Sequence, residues 1–229
     1  MKTYRLIGAG LFAIILCCTF SSCSDDDDDD NKTFPYSEYA VNLGLPSGTL
    51  WADRNIGADS PEDYGAYFAW GETKAKSRYD RSTYKWYDSS EDLTKYCTDS
   101  DYGFTDGKKA LEVSDDAATA YWGDRWCMPT SRQIKELLDN CSWIWTTRNG
   151  ISGYKVMGPN SNSIFLPAAG VRDYGNLWRA GSDLYYWSNS LYEDEQDNAY
   201  SLYFQREVNW LGLSWNYRHQ GLPVRAVVR

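Results

Sequence analysis

The chain of 229 residues has room for one large domain or two small ones. Aromatics make up 16% of it, all 11 Trp lie at or after position 51, and six of the 32 acidic residues behind the net charge of −9 form the single run Asp25 to Asp30. No basic stripe or Lys/Arg cluster could neutralise phosphates, which excludes a nucleic-acid partner.

Residues 1–22 read as a targeting segment, to be set aside before the fold is considered. Lys2 and Arg5 supply the positive end, LIGAGLFAIIL the apolar run and TFSSC the small-residue exit before Cys23. The apolar run is too short for a spanning helix. A cysteine directly after small residues is the pattern of a bacterial lipoprotein signal, so cleavage before Cys23 and a lipid anchor on it are expected. Residues 23–34 then form a lipidated, acidic linker whose aspartates repel one another and bury nothing. An acidic run in that place resembles the surface-export signal of Bacteroidetes lipoproteins. It implies an outer-membrane protein, held by its lipid anchor only and facing the cell exterior.

The folded part is expected over residues 35–229. YAVNLGLPSGTLWADRNIG predicts strand, Pro-Ser-Gly turn and strand. In SPEDYGAYFAWGE, Pro61 suits the first turn of a short helix and YFAW a buried strand. From Thr73 to Ala110 the chain is polar and Tyr-rich, and reads as long loops. SDDAATAYWG predicts a short helix capped by Ser114. The clearest helix is Ser131 to Asn140: Thr130 and Gln133 form a capping box, and Ile134, Leu137, Leu138 and Cys141 share one face. SWIWTT is then a strand, and YKVMG and SIFLP flank Pro159 to Asn162 as a hairpin.

The last 45 residues, from Tyr185 on, carry the strand-like pieces YYWSNS, AYSLYF and LPVRAVVR. Between them VNWLGLSWNYRHQG is too long and mixed for a strand. It holds Trp210, Trp215, Tyr217 and Arg218 among Asn209, Ser214, Asn216 and Gln220, the composition of a binding surface. Strand faces alternate, so tryptophans five residues apart do not both point inward; Trp210 is expected to be partly core, and Trp215 or Tyr217 exposed. Short helices among many antiparallel strands define an α+β single domain. Three cysteines remain in it, and Cys97 and Cys141 are the favoured disulfide partners, which leaves Cys127 as a buried thiol.

Several phrases together point to one family: VNLGLPSGTLWADRNIGA, YGAYFAWGET, DDAATAYWGDRWCMPT, NGISGYKVMGPNSNSIFLPAAGVRD, YYWSNS and GLPVRAVVR. In order, from about residue 40 to 229, they resemble the Fibrobacter succinogenes major paralogous domain, a family common in surface lipoproteins of gut Bacteroidetes. The resemblance implies a C-type lectin-like fold, near the formylglycine-generating enzyme group. Cys127 departs from the family, where arginine is expected. Terminal strands would then form a platform, and loops near Tyr174 to Ser182 (with Trp178), Tyr192 to Asn198, and Trp210 to Gln220 would carry a glycan or protein ligand. Variable proteins of diversity-generating retroelements resemble this fold too, and Tyr192, Asn209, Ser214, Asn216 and Tyr217 would suit their mutable positions.

Catalysis finds little support. The formylglycine-generating enzymes need a C-terminal cysteine pair, and no cysteine follows Cys141. His219, the single histidine, is flanked by Arg218 and Gln220 in a polar stretch and reads as a binding or surface residue rather than a general base. No zinc site is available without the structural cysteines. Calcium is the one candidate ion, through Glu193, Asp194, Glu195, Asp197 and Asn198, but the sugar-binding signatures of calcium-dependent lectins are missing and a solvated acidic loop is the preferred reading. The expectation is a non-catalytic binding protein without a cofactor, with a structural subunit of a surface or fimbrial assembly as the alternative.

Overall fold

Thr130 accepts from the Gln133 backbone and Gln133 returns a bond to the Thr130 N–H, closing the capping box that starts the main helix. The computed structural model describes residues 36–228. The expected signal peptide over residues 1–22 and the expected lipidated Cys23 with its acidic linker lie outside the described residues. In chain order the elements are α1 (Tyr36–Tyr39), β1 (Ala40–Asn42), β2 (Leu50–Ala52), β3 (Tyr67–Phe68), α2 (Ala117–Trp122), β4 (Trp126–Cys127), α3 (Ser131–Asn140), β5 (Ser142–Arg148), β6 (Ile151–Met157) and β7 (Ser163–Pro167). There follow β8 (Val171–Asp173), β9 (Asn176–Trp178), β10 (Leu184–Leu191), β11 (Asn198–Gln205), β12 (Trp210–Tyr217), β13 (Leu222–Pro223) and β14 (Val227–Val228). Among the described residues the named strands pair antiparallel, in small sheets ordered β1-β2-β14-β4, β10-β11-β12 and β5-β6-β7, with β13-β3 and β8-β9 as two-stranded pieces. The described residues are thus mostly antiparallel strands in several small sheets with few helices, an α+β or mostly-β arrangement. Among the described residues no helix is long and apolar enough to cross a membrane.

Local chemistry explains several departures from the sequence reading. The stretch after Pro61 forms turns instead of a helix. Helix α2 starts later than expected because Asp116, not Ser114, accepts from the Ala118 and Thr119 N–H groups. The Trp210–Tyr217 segment is a full strand rather than a loop, paired along its whole length with β11 from Gln205↔Trp210 to Asn198↔Tyr217. The expected Cys97–Cys141 disulfide is absent, and both residues are free thiols. Cys97 is buried with Tyr79, Tyr84 and Leu93, and its thiol contacts the Asp99 carbonyl at 3.0 Å. Cys141 packs at the end of α3 against a different cluster, and burial pushes its thiol up to about 11. Cys127 is half-buried in β4, not buried.

The core forms three clusters. One gathers Trp70, Trp126, Trp187 and Ala226. A second packs Ile134 and Leu137 of α3 against Leu184, Tyr186, Leu202 and Phe204 of the β10-β11-β12 sheet. The third holds the Tyr-rich segment through Tyr67, Tyr79, Tyr84 and Leu93. Trp70 Nε1 donates to the Ser188 carbonyl at 2.8 Å and Trp187 Nε1 to the Phe68 carbonyl at 2.7 Å, so two tryptophans of the first cluster also tie β10 to the β3 region. Arg225 is wholly buried and spends its guanidinium on Asn55 Oδ1 and the carbonyls of Ala52 and Phe165, joining β2, β7 and the chain's end. Burial lowers its pKa to about 10.

Candidate functional site

The site begins with the alternation of β11 and β12. On one face, Leu202 opposite Leu213 and Phe204 opposite Leu211 pack beneath α3. Farther along that face Tyr200 lies opposite Trp215, and Asn198 opposite Tyr217. A ten-residue helix is about 15 Å long, while an eight-residue strand runs about 27 Å. Helix α3 therefore covers only part of the face, and the aromatic end stays open: Trp215 is 39% and Tyr217 43% exposed.

These rings form a continuous series. Tyr192, from the β10–β11 loop, meets Tyr200 edge-on at 5.2 Å and stacks with Trp215 at 5.9 Å. Trp215 reaches Tyr217 at 6.3 Å, and Tyr217 stacks on His219 at 5.5 Å and 18°. The series ends at a cleft of about 300 Å³ lined by Arg81, Asp173, Tyr174, Tyr217, His219 and Gln220. Backbone bridges set its walls: Tyr79 pairs with Tyr174, and Arg172 with Gly221. At Gly221 a Cβ would come 2.7 Å from the Tyr79 ring, so only glycine lets this segment close onto β8.

The cleft's electrostatics are mixed. Arg81 pairs with Asp197 at 2.8 Å and Glu91 at 3.4 Å, and the Tyr87 hydroxyl donates to Asp197 at 2.8 Å. His219 is 8% exposed, and burial pushes its pKa below 6.5, opposed by the Asp173 carboxylate and reinforced by Arg81. Its Nε2 stands 4.0 Å from Asp173 Oδ1. Among the described residues its buried Nδ1 has no hydrogen-bond partner.

The sequence-predicted residues divide into groups. Tyr192, Trp215, Asn216 and Tyr217 come together at the open end, although Asn216 is committed internally, accepting from Ser201 Oγ at 2.8 Å and donating to Gln220 Oε1 at 3.3 Å. Asn209 and Trp210 lie at the opposite end of β12. Asn209 is a turn residue in the left-handed region, φ 50°, its N–H bonded to the Arg206 carbonyl. Trp210 is not partly core: it is 44% exposed and folds over Gly212, with Tyr203 beside it at 5.7 Å. Trp178 ends the β8–β9 hairpin, exposed, next to Arg179, which pairs with Glu207 in the β11–β12 turn. Trp178 thus belongs with Asn209 and Trp210, away from the aromatic series.

Arg218 is the clearest correction. It is not a ligand contact but is wholly buried, donating to Tyr84 Oη and to the carbonyls of Lys95, Tyr96 and Gln196 beneath the site. The acidic loop is also largely engaged: Glu193 pairs with Lys109, Glu195 accepts from Asn198, and Asp197 holds Arg81 and Tyr87. Among the described residues no group of three or more metal-ligating side chains converges. Sequence reasoning missed Arg81 and Asp173, which reach the cleft from far along the chain and carry no local motif, whereas Tyr174 opens one of the expected ligand loops. A search for a matching protein family, a similar curated protein or a similar solved structure finds none.

Proposed function

We propose that this protein is a non-catalytic binding module displayed at the cell surface, with its ligand surface along the open end of β12. The observation that carries the reading is the run Tyr192–Trp215–Tyr217–His219: flat rings, with Trp215 and Tyr217 open to solvent and His219 buried behind them, that lead into a cleft edged by a carboxylate, a guanidinium and an amide. Rigid aromatics beside polar groups suit recognition of a glycan or a protein ligand. The ordered family phrases favour a C-type lectin-like fold of the Fibrobacter succinogenes major paralogous domain type, and the antiparallel α+β architecture is compatible with it. The leader pattern and the acidic run favour a lipid anchor on Cys23 and an outward-facing outer-membrane location.

The test is binding of the full-length protein to glycan and surface-protein panels, with and without calcium, alongside a Trp215→Ala/Tyr217→Ala double variant. Loss of a specific partner in a folded double variant supports the reading; unchanged binding refutes it.

A second reading, a subunit of a surface assembly, draws on a different end of the molecule. Trp178, Val208 and Trp210 are all exposed there. Concentration-dependent size that disappears on Trp178→Ala/Trp210→Ala would favour it.

A further inference from the structure

Asp173 and His219 face each other across a gap that their own hydrogen bonds do not fill. Nε2 to Oδ1 is 4.0 Å, beyond hydrogen-bond length. Asp173 Oδ1 and His219 Nδ1 are both buried and have no hydrogen-bond partner among the described residues. Unpaired polar atoms of this kind cost on the order of 1–3 kcal/mol each, and the imidazole nitrogen that faces Asp173 is the other one, Nε2. His219 is nine-tenths buried yet lines the cleft, with the exposed rings of Tyr174 and Tyr217 at its mouth.

Resting on the binding-module reading, we infer that this cleft is a subsite for a neutral polyhydroxylated ring, a single sugar residue, whose hydroxyls are read by Asp173 and His219. A hydroxyl carries one proton and two lone pairs, so it can donate to the carboxylate while it accepts from an imidazole N–H. The Asp173 side chain keeps 28% of its surface exposed and the His219 side chain 10%, so a ligand in the cleft can reach both side chains. Charged ligands fit less well. Asp173 repels an anion, and Arg81 already answers Asp197 and Glu91. A cation meets Arg81 in the cleft and Arg78 over the Tyr174 ring at 5.7 Å. The flat faces of Tyr174 and Tyr217 suit the apolar face of a pyranose.

His219 is the chain's single histidine, so its imidazole nitrogens are read without ambiguity. Full-length protein labelled with ¹⁵N-histidine, in a detergent lacking a sugar headgroup, is titrated with a panel of methyl pyranosides, and with acetate and tetramethylammonium. The expected result is a saturable shift of the imidazole ¹⁵N signals with at least one pyranoside and with neither ion. Asp173→Asn should weaken that binding by at least about tenfold, close to 1.4 kcal/mol, while Trp178→Ala leaves it unchanged. His219→Gln, followed by calorimetry, is the second variant. A shift driven by either ion, or no shift with any pyranoside in a protein that still binds a partner through Trp215 and Tyr217, overturns this subsite and leaves the broader reading intact. Partner binding indifferent to Trp215→Ala/Tyr217→Ala sinks both.

Discussion

Arg218 Nε donates to the Tyr84 hydroxyl at 3.0 Å, and that hydroxyl donates onward to the Trp70 carbonyl at 2.8 Å. The Trp70 N–H returns to the Arg218 carbonyl at 2.8 Å, and the guanidinium lies 4.8 Å from the Trp70 ring centroid. This closed circuit fixes the segment that presents Tyr217 and His219 to the cleft. Its charge has no carboxylate partner in the circuit and is held by carbonyl dipoles and ring faces instead. Arg218→Ala would strand several buried acceptors at once and should destabilise the protein by at least about 3 kcal/mol. Chemical denaturation checks this; a loss below about 1 kcal/mol would show that the circuit is dispensable.

Gly221 and Gly212 make a matched pair. A Cβ at Gly221 meets the enclosed Tyr79 ring at 2.7 Å, whereas at Gly212 it meets the half-exposed Trp210 ring at 2.8 Å, which can swing away. Gly221→Ala should cost about 1–3 kcal/mol by overpacking, and Gly212→Ala clearly less. Thermal denaturation of the two variants ranks them.

The free state of Cys97 and Cys141 predicts that reductant leaves Tm unchanged. A bridge between them would contribute about 2–4 kcal/mol, so its reduction would be plain in a melt.

His219 makes stability depend on pH in a known direction. Its folded-state pKa lies below 6.5, chiefly through burial, so the unfolded chain takes up the proton first. The Asp173 and Asp197 carboxylates oppose that shift, and Arg81 supports it. Stability should fall as pH drops from 6.5 toward the folded-state pKa and show no His219 contribution well above 6.5. The difference in Tm between wild type and His219→Gln, followed from pH 8 to 5, isolates this effect because carboxylate titrations common to both cancel. A wild-type-minus-variant difference in Tm that falls as pH rises from 5 to 8 contradicts the assignment.

Helix α3 was fully legible because its signals are local: a capping box within four residues and an apolar stripe at helical spacing. Strand β12 was misread as a loop although a period-two pattern runs through it. Leu211, Leu213, Trp215 and Tyr217 alternate with Gly212, Ser214 and Asn216, but Trp210 on the polar side and partial exposure on both faces blurred the contrast. The burial of Arg218 is not legible in the sequence, because its partners Tyr84, Lys95 and Tyr96 lie more than 120 positions away and nothing local marks an arginine as buried. Asp173 and Arg81 reach the cleft by the same kind of long-range closure. The exposed aromatics Trp215 and Tyr217, by contrast, could be picked out from composition and strand alternation alone.

The central claim is that the open end of β12, and not its other end, is the ligand surface. The direct measurement compares three full-length proteins on one glycan and protein panel: wild type, Trp215→Ala/Tyr217→Ala and Trp178→Ala/Trp210→Ala. The account predicts that the first double variant stays folded and loses the wild-type partner, while the second keeps it. Retention in the first with loss in the second would contradict the account and move the interaction to the Asn209–Trp178 end.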